Sequence, residues 1–275
     1  MDNSADSMCS ELPVEAGAPP GPEGVAGGVS WTAPWLTVVL PAHNEAENIG
    51  VVAVGFLQAA RRLGRLCEVL VVDDGSTDGT ERALRAHPGG DDVSLRVVRH
   101  ERNRGYGAAL RTGFHEARGT WVFFTDSDGQ FAPSSLGDFL RGLDEQGVDL
   151  IVGYRYSRHD RWHRRALGRV WTGTVRSLLG VRARDVNCAF KVMRRSDLQR
   201  MNLESDGALI NAELLHKARR LGLVLEQRPV QHLAREHGEA SGARPDVVGR
   251  ALWELAAYRL GSLRARILNA ERVQG

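Results

Sequence analysis

The chain has 275 residues, of which 42% are hydrophobic and 25% are charged, and its formal net charge at pH 7 is +2. This is ordinary globular composition, and the nearly balanced charge gives no reason to expect nucleic-acid binding. The three cysteines, Cys9, Cys67 and Cys188, are far apart in no metal-ligand spacing, which favours reduced thiols in the cytoplasm over disulfides or a zinc site. No apolar run approaches the roughly 20 residues of a membrane span, so any membrane contact is expected to be peripheral.

The first part of the chain, residues 1–33, is rich in Pro, Gly, Ala and acidic residues without periodicity. Such a segment buries too little apolar surface to offset chain entropy, which predicts a disordered tail. It also lacks the basic start and the apolar centre of a secretory signal. We predict a folded domain over residues 34–241 and a C-terminal amphipathic helix over residues 242–275.

The folded domain opens with a β-branched run, Leu36–Leu40, which Pro41 ends and which predicts a buried strand. The next residues have helical apolar spacing, with Asn44 as the predicted N-cap and Gly64 as the end of the helix. The segment "EVLVVDDGSTDGT" repeats this plan of strand, turn and helix cap, with Thr77 or Asp78 as the cap.

A third strand "LRVVRH", a helix "GYGAALRTGFHEA" and a fourth strand "TWVFFTDSD" follow. Strands that alternate with helices at this spacing predict an α/β fold, with a doubly wound, mainly parallel sheet and flanking helices. Ligands of such sheets bind outside the carboxyl ends of the strands. All three loops that carry acidic residues are predicted to lie there.

The later part of the chain predicts a helix at "SSLGDFLRGLDEQG", a strand at "DLIVGYRY", an Arg-rich segment over residues 155–200, a helix at "GALINAELLHKARRLG" and a strand at "LVLEQRPVQHL". One long helix follows, and its predicted apolar stripe comprises Val247, Val248, Ala251, Leu252, Leu255, Tyr258 and Leu263. Packing of this stripe on the domain is favoured slightly over a membrane-surface helix, and dimerisation is a third interpretation.

Three acidic loops are the strongest functional signal. The first contains His43, Asn44 and Glu45, the second Asp73 and Asp74, and the third Asp126 and Asp128. Carboxylates that converge on one crevice disfavour each other unless a cation compensates them. Asp126 and Asp128 alternate along an extended segment and therefore point the same way, so their hard oxygen ligands suit Mg²⁺ or Mn²⁺, which would in turn hold a diphosphate.

Turn chemistry and other nucleotide-binding motifs are the alternative interpretations of these loops. Asp, Gly and Ser are common in turns and helix caps, but three such loops at successive strand ends are less easily explained in that way. A dinucleotide fingerprint would require G-x-G-x-x-G after the first strand, where the chain has "PAHNEAEN", and the sequence contains no P-loop string.

The motifs "VVLPAHNEAENI", "EVLVVDDGSTDGT", "NRGYGAALRTG" and "DSDGQ" resemble, in this order and spacing, the family 2 inverting glycosyltransferases of GT-A fold. The later "VGYRY", "RRALGR", "DVNCAFKVMRR", "AELLHKARRLG" and "REHGEAS" look like the branch of dolichyl-phosphate mannose synthase and bacterial polyprenyl-phosphate sugar transferases. The resemblance runs from about Leu36 to Ser241.

This resemblance implies roles for particular residues. Those implied to line the nucleotide-sugar are Pro41, Ala42, Glu45, Asp73, Asp74, Asn103 and Gly105. Those implied to hold Mg²⁺ or Mn²⁺ against the diphosphate are Asp126, Asp128 and Gln130. Those implied to surround the acceptor phosphate and the transferred sugar are Arg155, Arg169 and Lys191, with Asp185 opening the motif that carries Lys191. The chain departs from the pattern at Ala189, where many relatives have Gly, and at Lys191, where some have Arg.

The acceptor remains open between two chemistries. A sugar hydroxyl would need a general base, for which the candidates are Asp185, Glu213, His232 and His237. A lipid monophosphate, with a second pKa of roughly 6, needs no base but needs cations, which the Arg-rich segment supplies. Trp162 and Trp171 in that segment suit either a membrane interface or the core.

The predicted function is therefore metal-dependent, inverting transfer of a sugar, mannose or glucose, from a nucleotide-sugar to polyprenyl phosphate. The enzyme is expected in the cytoplasm, in peripheral contact with the inner face of the membrane. Two alternatives remain: the same core acting on a soluble or saccharide acceptor, and a non-catalytic nucleotide-sugar-binding or membrane scaffold protein.

Overall fold

The computed structural model describes residues 33–85, 93–145, 147–157, 162–235 and 245–274. The predicted tail lies outside these residues except for Ala33. Over the described residues, no helix combines the length and the apolar character that crossing a bilayer requires.

A seven-stranded sheet forms the centre of the described structure, in the order β3-β2-β1-β4-β6-β5-β7. Its strands are β1 (Leu36–Ala42), β2 (Cys67–Asp73), β3 (Val93–Arg99), β4 (Trp121–Phe124), β5 (Leu150–Ser157), β6 (Lys191–Arg194) and β7 (Leu225–Gln231). The pairs β1–β2, β1–β4, β2–β3 and β5–β7 are parallel, whereas β6 runs antiparallel to both β4 and β5. The predicted mainly parallel α/β sheet is confirmed.

Helices cover both faces of this sheet. They are α1 (Ile49–Arg61), α2 (Thr80–Arg85), α3 (Tyr106–Glu116), α4 (Leu136–Phe139), α5 (Trp162–Leu179), α6 (Arg195–Met201), α7 (Ile210–Arg220) and α8 (Pro245–Gln274). One core cluster contains α1 and α4 residues such as Phe56 and Phe139, and the other contains α3 and α7 residues such as Leu110 and Leu214. Strands covered on both faces have to be continuously apolar, which explains the β-branched runs of β1 and β2.

The predicted N-cap of the first helix is wrong. Asn44 has a left-handed φ of 55° in the loop, and Asn48 is the N-cap of α1. The Asn44 side chain instead accepts a hydrogen bond at 2.9 Å from the backbone N–H of Thr77 in the second loop. It therefore joins the first two acidic loops to each other.

Three predictions for the later chain are also corrected. The helix predicted after the third acidic loop is only the short α4, because the chain turns at Gly142, which has a left-handed φ of 71°. The Arg-rich segment contains three elements that the sequence did not predict, α5, β6 and α6. Leu252, predicted on the packed stripe of α8, is instead 48% exposed, while Ala251 and Leu255 are buried.

Candidate active site

The three acidic loops lie side by side at one edge of the sheet. The registers Ala42↔Asp73 and Val39↔Phe124 place the ends of β2 and β4 on either side of β1. The backbone N–H of Asp74 donates to the carbonyl of Ala42 at 2.8 Å, which continues this alignment into the second loop. The convergence predicted from parallel strands is therefore present in the structure.

Asp126 and Asp128 are partly buried in the third loop. Between them, Ser127 is buried and its hydroxyl donates to the carbonyl of Pro41 at 2.8 Å. Burial, followed by repulsion from Asp128, raises the pKa of Asp126 to about 7, although a hydrogen bond from the Tyr106 hydroxyl opposes the shift. Burial also raises the pKa of Asp128, and Glu45 adds to that shift. Both carboxylates would be stabilised by an added cation.

Arg235 lies at the candidate site but was not predicted from the sequence. Its guanidinium donates to Oε1 of Glu45 at 2.7 Å and approaches Oδ2 of Asp128 at 3.4 Å. The segment that carries it is attached to the third loop, because the N–H of Leu233 donates to the carbonyl of Gln130 at 2.8 Å. Gln130 returns a hydrogen bond through its side-chain amide to the carbonyl of Leu233 at 3.2 Å. The motif "REHGEAS" was a signal for this arginine, but its role depends on the fold.

The second loop contains two aspartates with different surroundings. The Asp74 carboxylate is buried and accepts hydrogen bonds from Nδ1 of His100 at 2.6 Å, from the N–H of Arg104 at 2.9 Å and from the N–H of Gly105 at 2.8 Å. Asp74 thus fixes the backbone that leads into α3. Oδ1 of Asp73 accepts from the N–H of Ser76 at 2.9 Å, whereas its buried Oδ2 has no hydrogen-bond partner among the described residues and lies 3.6 Å from Nη1 of Arg99.

The loop that precedes α3 lies directly on the second acidic loop. A Cβ atom on Gly75 would be 2.4 Å from the carbonyl carbon of Arg102, so only glycine permits this approach. Asn103 is exposed beside this contact, and Gly105 has a left-handed φ of 103°. Pro41 and Ala42 are buried at the end of β1. All seven residues implied to bind the nucleotide-sugar therefore belong to one edge of the sheet.

The predicted acceptor residues occupy different environments. Arg155 donates two hydrogen bonds to Asp185, at 2.6 and 2.9 Å, and both side chains are mostly buried. Arg169 lies exposed on α5. Lys191 is fully buried, and its ammonium donates to Oδ1 of Asn211 at 2.6 Å and to the carbonyl of Val186 at 3.2 Å.

Burial lowers the pKa of Lys191 to about 8. Its charge and that of Arg155 still favour the ionised form of Asp126, so both cations act electrostatically on the acidic pair. The structure therefore brings Arg155, Asp185 and Lys191 to the candidate site.

The candidate general bases that the structure describes are buried or hydrogen-bonded to other groups. Both oxygens of the buried Glu213 accept backbone N–H groups, from Glu204 at 2.9 Å and from Ser205 at 2.8 Å, and Lys217 lies 2.6 Å from Oε1. His232 is buried, with its ring edge-on to Phe131 at 5.4 Å between centroids. His237 and the side chain of Trp162 lie outside what the structure describes, and Trp171 is a core residue that donates to Asn187 at 2.9 Å.

The acidic cluster does not form a complete metal cage by itself. Within the described ranges, no group of three His, Cys, Asp or Glu side chains is arranged to hold a metal ion. Asp126 and Asp128 would supply two oxygen ligands, and hard divalent cations commonly complete such a shell with phosphate oxygens and water. The pKa values of Asp126 and Asp128 are raised, and these two acids together with Glu45 outnumber the nearby cation Arg235. Both observations fit an additional cation at this position.

The chain is similar in sequence to known proteins. The chain is 30% identical over 212 residues to the dodecaprenyl-phosphate galacturonate synthase of Rhizobium johnstonii, covering 74% of this chain and 60% of that protein. It is 29% identical over 249 residues to the polyprenol monophosphomannose synthase of Mycolicibacterium smegmatis, and the match covers 86% of this chain and 90% of that protein. The matched region thus spans about three fifths of the first relative and most of the second.

The fold is also found among solved structures. The glucosyl-3-phosphoglycerate synthase of Mycobacterium tuberculosis, solved with Mn²⁺, uridine diphosphate and glucosyl-3-phosphoglycerate, has a TM-score of 0.63 at 24% identity, covering 86% of this chain and 87% of that one. This similarity shows a shared GT-A fold. The family model "Glycosyl transferase family 2" matches residues 37–201, which is more than half of the chain. The protein therefore belongs to glycosyl transferase family 2.

Proposed function

We propose that the protein transfers a sugar from a nucleotide-sugar to polyprenyl phosphate, with inversion and with the help of Mg²⁺ or Mn²⁺, at the cytoplasmic face of the membrane. The observation that carries this proposal is the meeting of Asp126 and Asp128 with the Glu45–Arg235 pair at the carboxyl ends of three strands. The names of the galacturonate and mannose synthases support a lipid-phosphate acceptor.

The nucleotide end of the donor suits the first two acidic loops. Oδ2 of Asp73 is a buried acceptor without a hydrogen-bond partner among the described residues, and a ring N–H of a base such as uracil or guanine would satisfy it. Pro41 and Ala42 on one side and Asn103 and Gly105 on the other would enclose the base and ribose. Asp74 contributes by fixing the backbone at Arg104 and Gly105, next to Asn103.

The diphosphate end suits the third loop. Asp126 and Asp128, with Gln130 beside them, are the residues that would hold the divalent ion. When bound, such an ion supplies positive charge that stabilises the departing nucleoside diphosphate. Arg235 lies against the same carboxylates and would share them with the ion.

A phosphate acceptor is inferred because the described candidate bases are buried or already hydrogen-bonded to other groups. A hydroxyl acceptor needs a carboxylate or imidazole that is free to take its proton, but Glu213 is fully engaged and Asp185 is held in two hydrogen bonds by Arg155. A phosphate monoester is already ionised near neutral pH and needs only to be positioned. Arg155 and Arg169 would position it, and buried Lys191 would add positive potential.

The proposal is tested by incubating the purified chain with Mn²⁺ or Mg²⁺ and a panel of labelled UDP- and GDP-sugars that includes mannose, glucose and galacturonic acid. Each reaction is run with and without polyprenyl phosphate, and label is followed into the organic phase. Transfer that requires the lipid would support the proposal. Transfer to a soluble acceptor alone would contradict the acceptor, and absence of turnover with every donor and acceptor would favour a scaffold role.

A further inference from the structure

α8 has apolar residues on two opposite faces. Its inner face packs on the domain through Ala251 and Leu255, which are 7% and 1% exposed. Its outer face carries Trp253 and Leu260, which are 72% and 64% exposed, with Leu252 beside them at 48%. Trp253 and Leu260 are seven residues apart, with exposed Ala256 and Ala257 between them, so these four side chains form one helical stripe. We call Leu252, Trp253, Ala256, Ala257 and Leu260 the outer stripe.

Basic residues outnumber acidic residues along α8. Over residues 247–261, where the side chains of α8 are described, the charged residues are Arg250, Glu254 and Arg259. The Glu254 side chain is turned inward at 13% exposure, with its carboxylate against Gly207, and it accepts a hydrogen bond at 3.0 Å from Nε of Arg250, whose side chain is 64% exposed. The sequence of the remaining helix adds Arg264, Arg266 and Arg272 and two acids, Asp246 and Glu271.

The first turns of α8 are attached to the candidate active site. A Cβ atom on Gly207 would be 2.6 Å from Oε1 of Glu254, so the loop before α7 lies directly on α8. In the same loop, the carbonyl of Asp206 accepts a hydrogen bond at 2.8 Å from the N–H of Gly107, in the first turn of α3. The neighbouring Tyr106 hydrogen-bonds Asp126. The position of α8 is thus coupled to the edge that carries the acidic pair.

We propose that the outer stripe is a docking surface for an anionic lipid bilayer, with Trp253 and Leu260 entering the interface and the flanking arginines facing the headgroups. Indole and leucine side chains beside cations are the composition that binds such interfaces. A second copy of the chain fits less well, because a twofold contact through α8 would bring its arginines together, and the described side chains of α8 include no exposed acid to pair with them.

This inference deepens the proposed function, because a lipid-phosphate acceptor lies in the bilayer that α8 would bind. It can nevertheless be measured without any transfer reaction. The full chain is mixed with vesicles of phosphatidylcholine alone or with about 30% phosphatidylglycerol, and bound protein is quantified by co-sedimentation at two salt concentrations. The double variant Trp253→Gln, Leu260→Gln is compared with Val51→Gln, which changes a 77% exposed valine on α1, in the other core layer.

The wild type and the Val51→Gln variant are expected to bind the anionic vesicles, more weakly at high salt, and the double variant to bind about tenfold more weakly or worse. Equal binding by the double variant, or no binding by the wild type, would overturn the inference. A concentration-dependent dimer in sedimentation velocity that the double variant lacks would assign the stripe to a second copy and overturn it as well.

A transfer assay with a short, water-soluble polyprenyl phosphate and no vesicles separates the two proposals. If the membrane inference alone fails, the wild type still transfers sugar to this acceptor. If the proposed function fails, transfer is absent while vesicle binding persists. The double variant is expected to retain wild-type activity with the soluble acceptor and to lose activity only with acceptor embedded in anionic vesicles.

Discussion

Nη2 of Arg235 lies 2.7 Å from Oε1 of Glu45, although 190 residues separate the two along the chain. The same guanidinium reaches Asp128 at 3.4 Å, so one arginine from the segment after β7 neutralises acids from the first and third loops. The site therefore contains a cation of its own that shares ligands with the proposed divalent ion.

Replacing Arg235 with Gln is expected to tighten the binding of Mn²⁺ alone by several-fold, because the competing cation is removed from Glu45 and Asp128. Sugar transfer should nevertheless fall, since positive charge beside the diphosphate is lost. Mn²⁺ affinity is measured by electron paramagnetic resonance of the free ion. The control is Arg65→Gln, which removes an exposed arginine paired with Asp144, away from the acidic loops. Weaker Mn²⁺ binding by the Arg235 variant would argue against this competition.

The pKa of Asp126 predicts how stability depends on pH in the metal-free protein. The carboxyl rises from 3.8 to about 7 in the folded state, so between these values the folded protein binds more protons than the unfolded one. The stability that protonated Asp126 contributes to the folded state is therefore lost as pH rises from about 4 to 7. Asp126→Asn removes this titration, so at pH 8 its free energy of unfolding should exceed that of the wild type by on the order of 2 kcal/mol, and its unfolding temperature should be higher.

Thermal unfolding of both proteins in EDTA at pH 5.5 and pH 8 measures this difference. The Asn variant should show the smaller decline between the two pH values, while losing transfer activity. An equal decline in both proteins would mean that Asp126 titrates normally.

Lys191 is expected to act through the buried network rather than as a substrate contact. Lys191→Met leaves Oδ1 of Asn211 and the carbonyls of Val186 and Cys188 without their donor. The free energy of unfolding should fall by about 3 kcal/mol, because buried acceptors are left unsatisfied. Urea unfolding measures this change. Arg176→Met, at an exposed cation of α5, is the matched control and should change stability by less than about 0.5 kcal/mol.

A variant of Glu213 distinguishes a phosphate acceptor from a hydroxyl acceptor that needs a general base. Loss of a general base costs a factor of about 10² to 10⁴, whereas a phosphate acceptor requires none. Glu213→Gln keeps an acceptor oxygen for one of the two backbone N–H groups, so the variant should fold with reduced stability and lose less than about tenfold in kcat. Steady-state kinetics at a temperature well below unfolding measure this loss. A loss of about 10³ with unchanged KM would instead identify Glu213 as a base and favour a hydroxyl acceptor.

Much of the sheet was predictable because its central strands are buried on both faces. β1 and β2 are buried at every position, so their continuous apolar runs stand out from the flanking polar loops. The convergence of Glu45, Asp73 and Asp126 followed from parallel strand direction alone. These inferences need no knowledge of side-chain contacts.

The remaining features depend on contacts that local pattern does not contain. β6 has only four residues and runs antiparallel within a segment dominated by arginine. It is too short for its alternation of apolar and polar residues to distinguish a strand from the sequence. Arg235 reaches Glu45 only because β7 returns the chain to the acidic edge. Leu252 and Leu255 have equally apolar side chains, and only the packing of α8 shows which of them faces outward.

The central claim is that Asp126 and Asp128 hold a divalent ion that in turn holds a nucleoside diphosphate. The most direct measurement is calorimetric titration of UDP and GDP into the wild type, Asp128→Asn and the exposed-site control Asp138→Asn, each with and without Mn²⁺. We predict that Mn²⁺ tightens binding of one nucleotide by about tenfold or more in the wild type and the control, and that this effect is absent in Asp128→Asn. Equal tightening in all three proteins, or none in the wild type, would contradict the account.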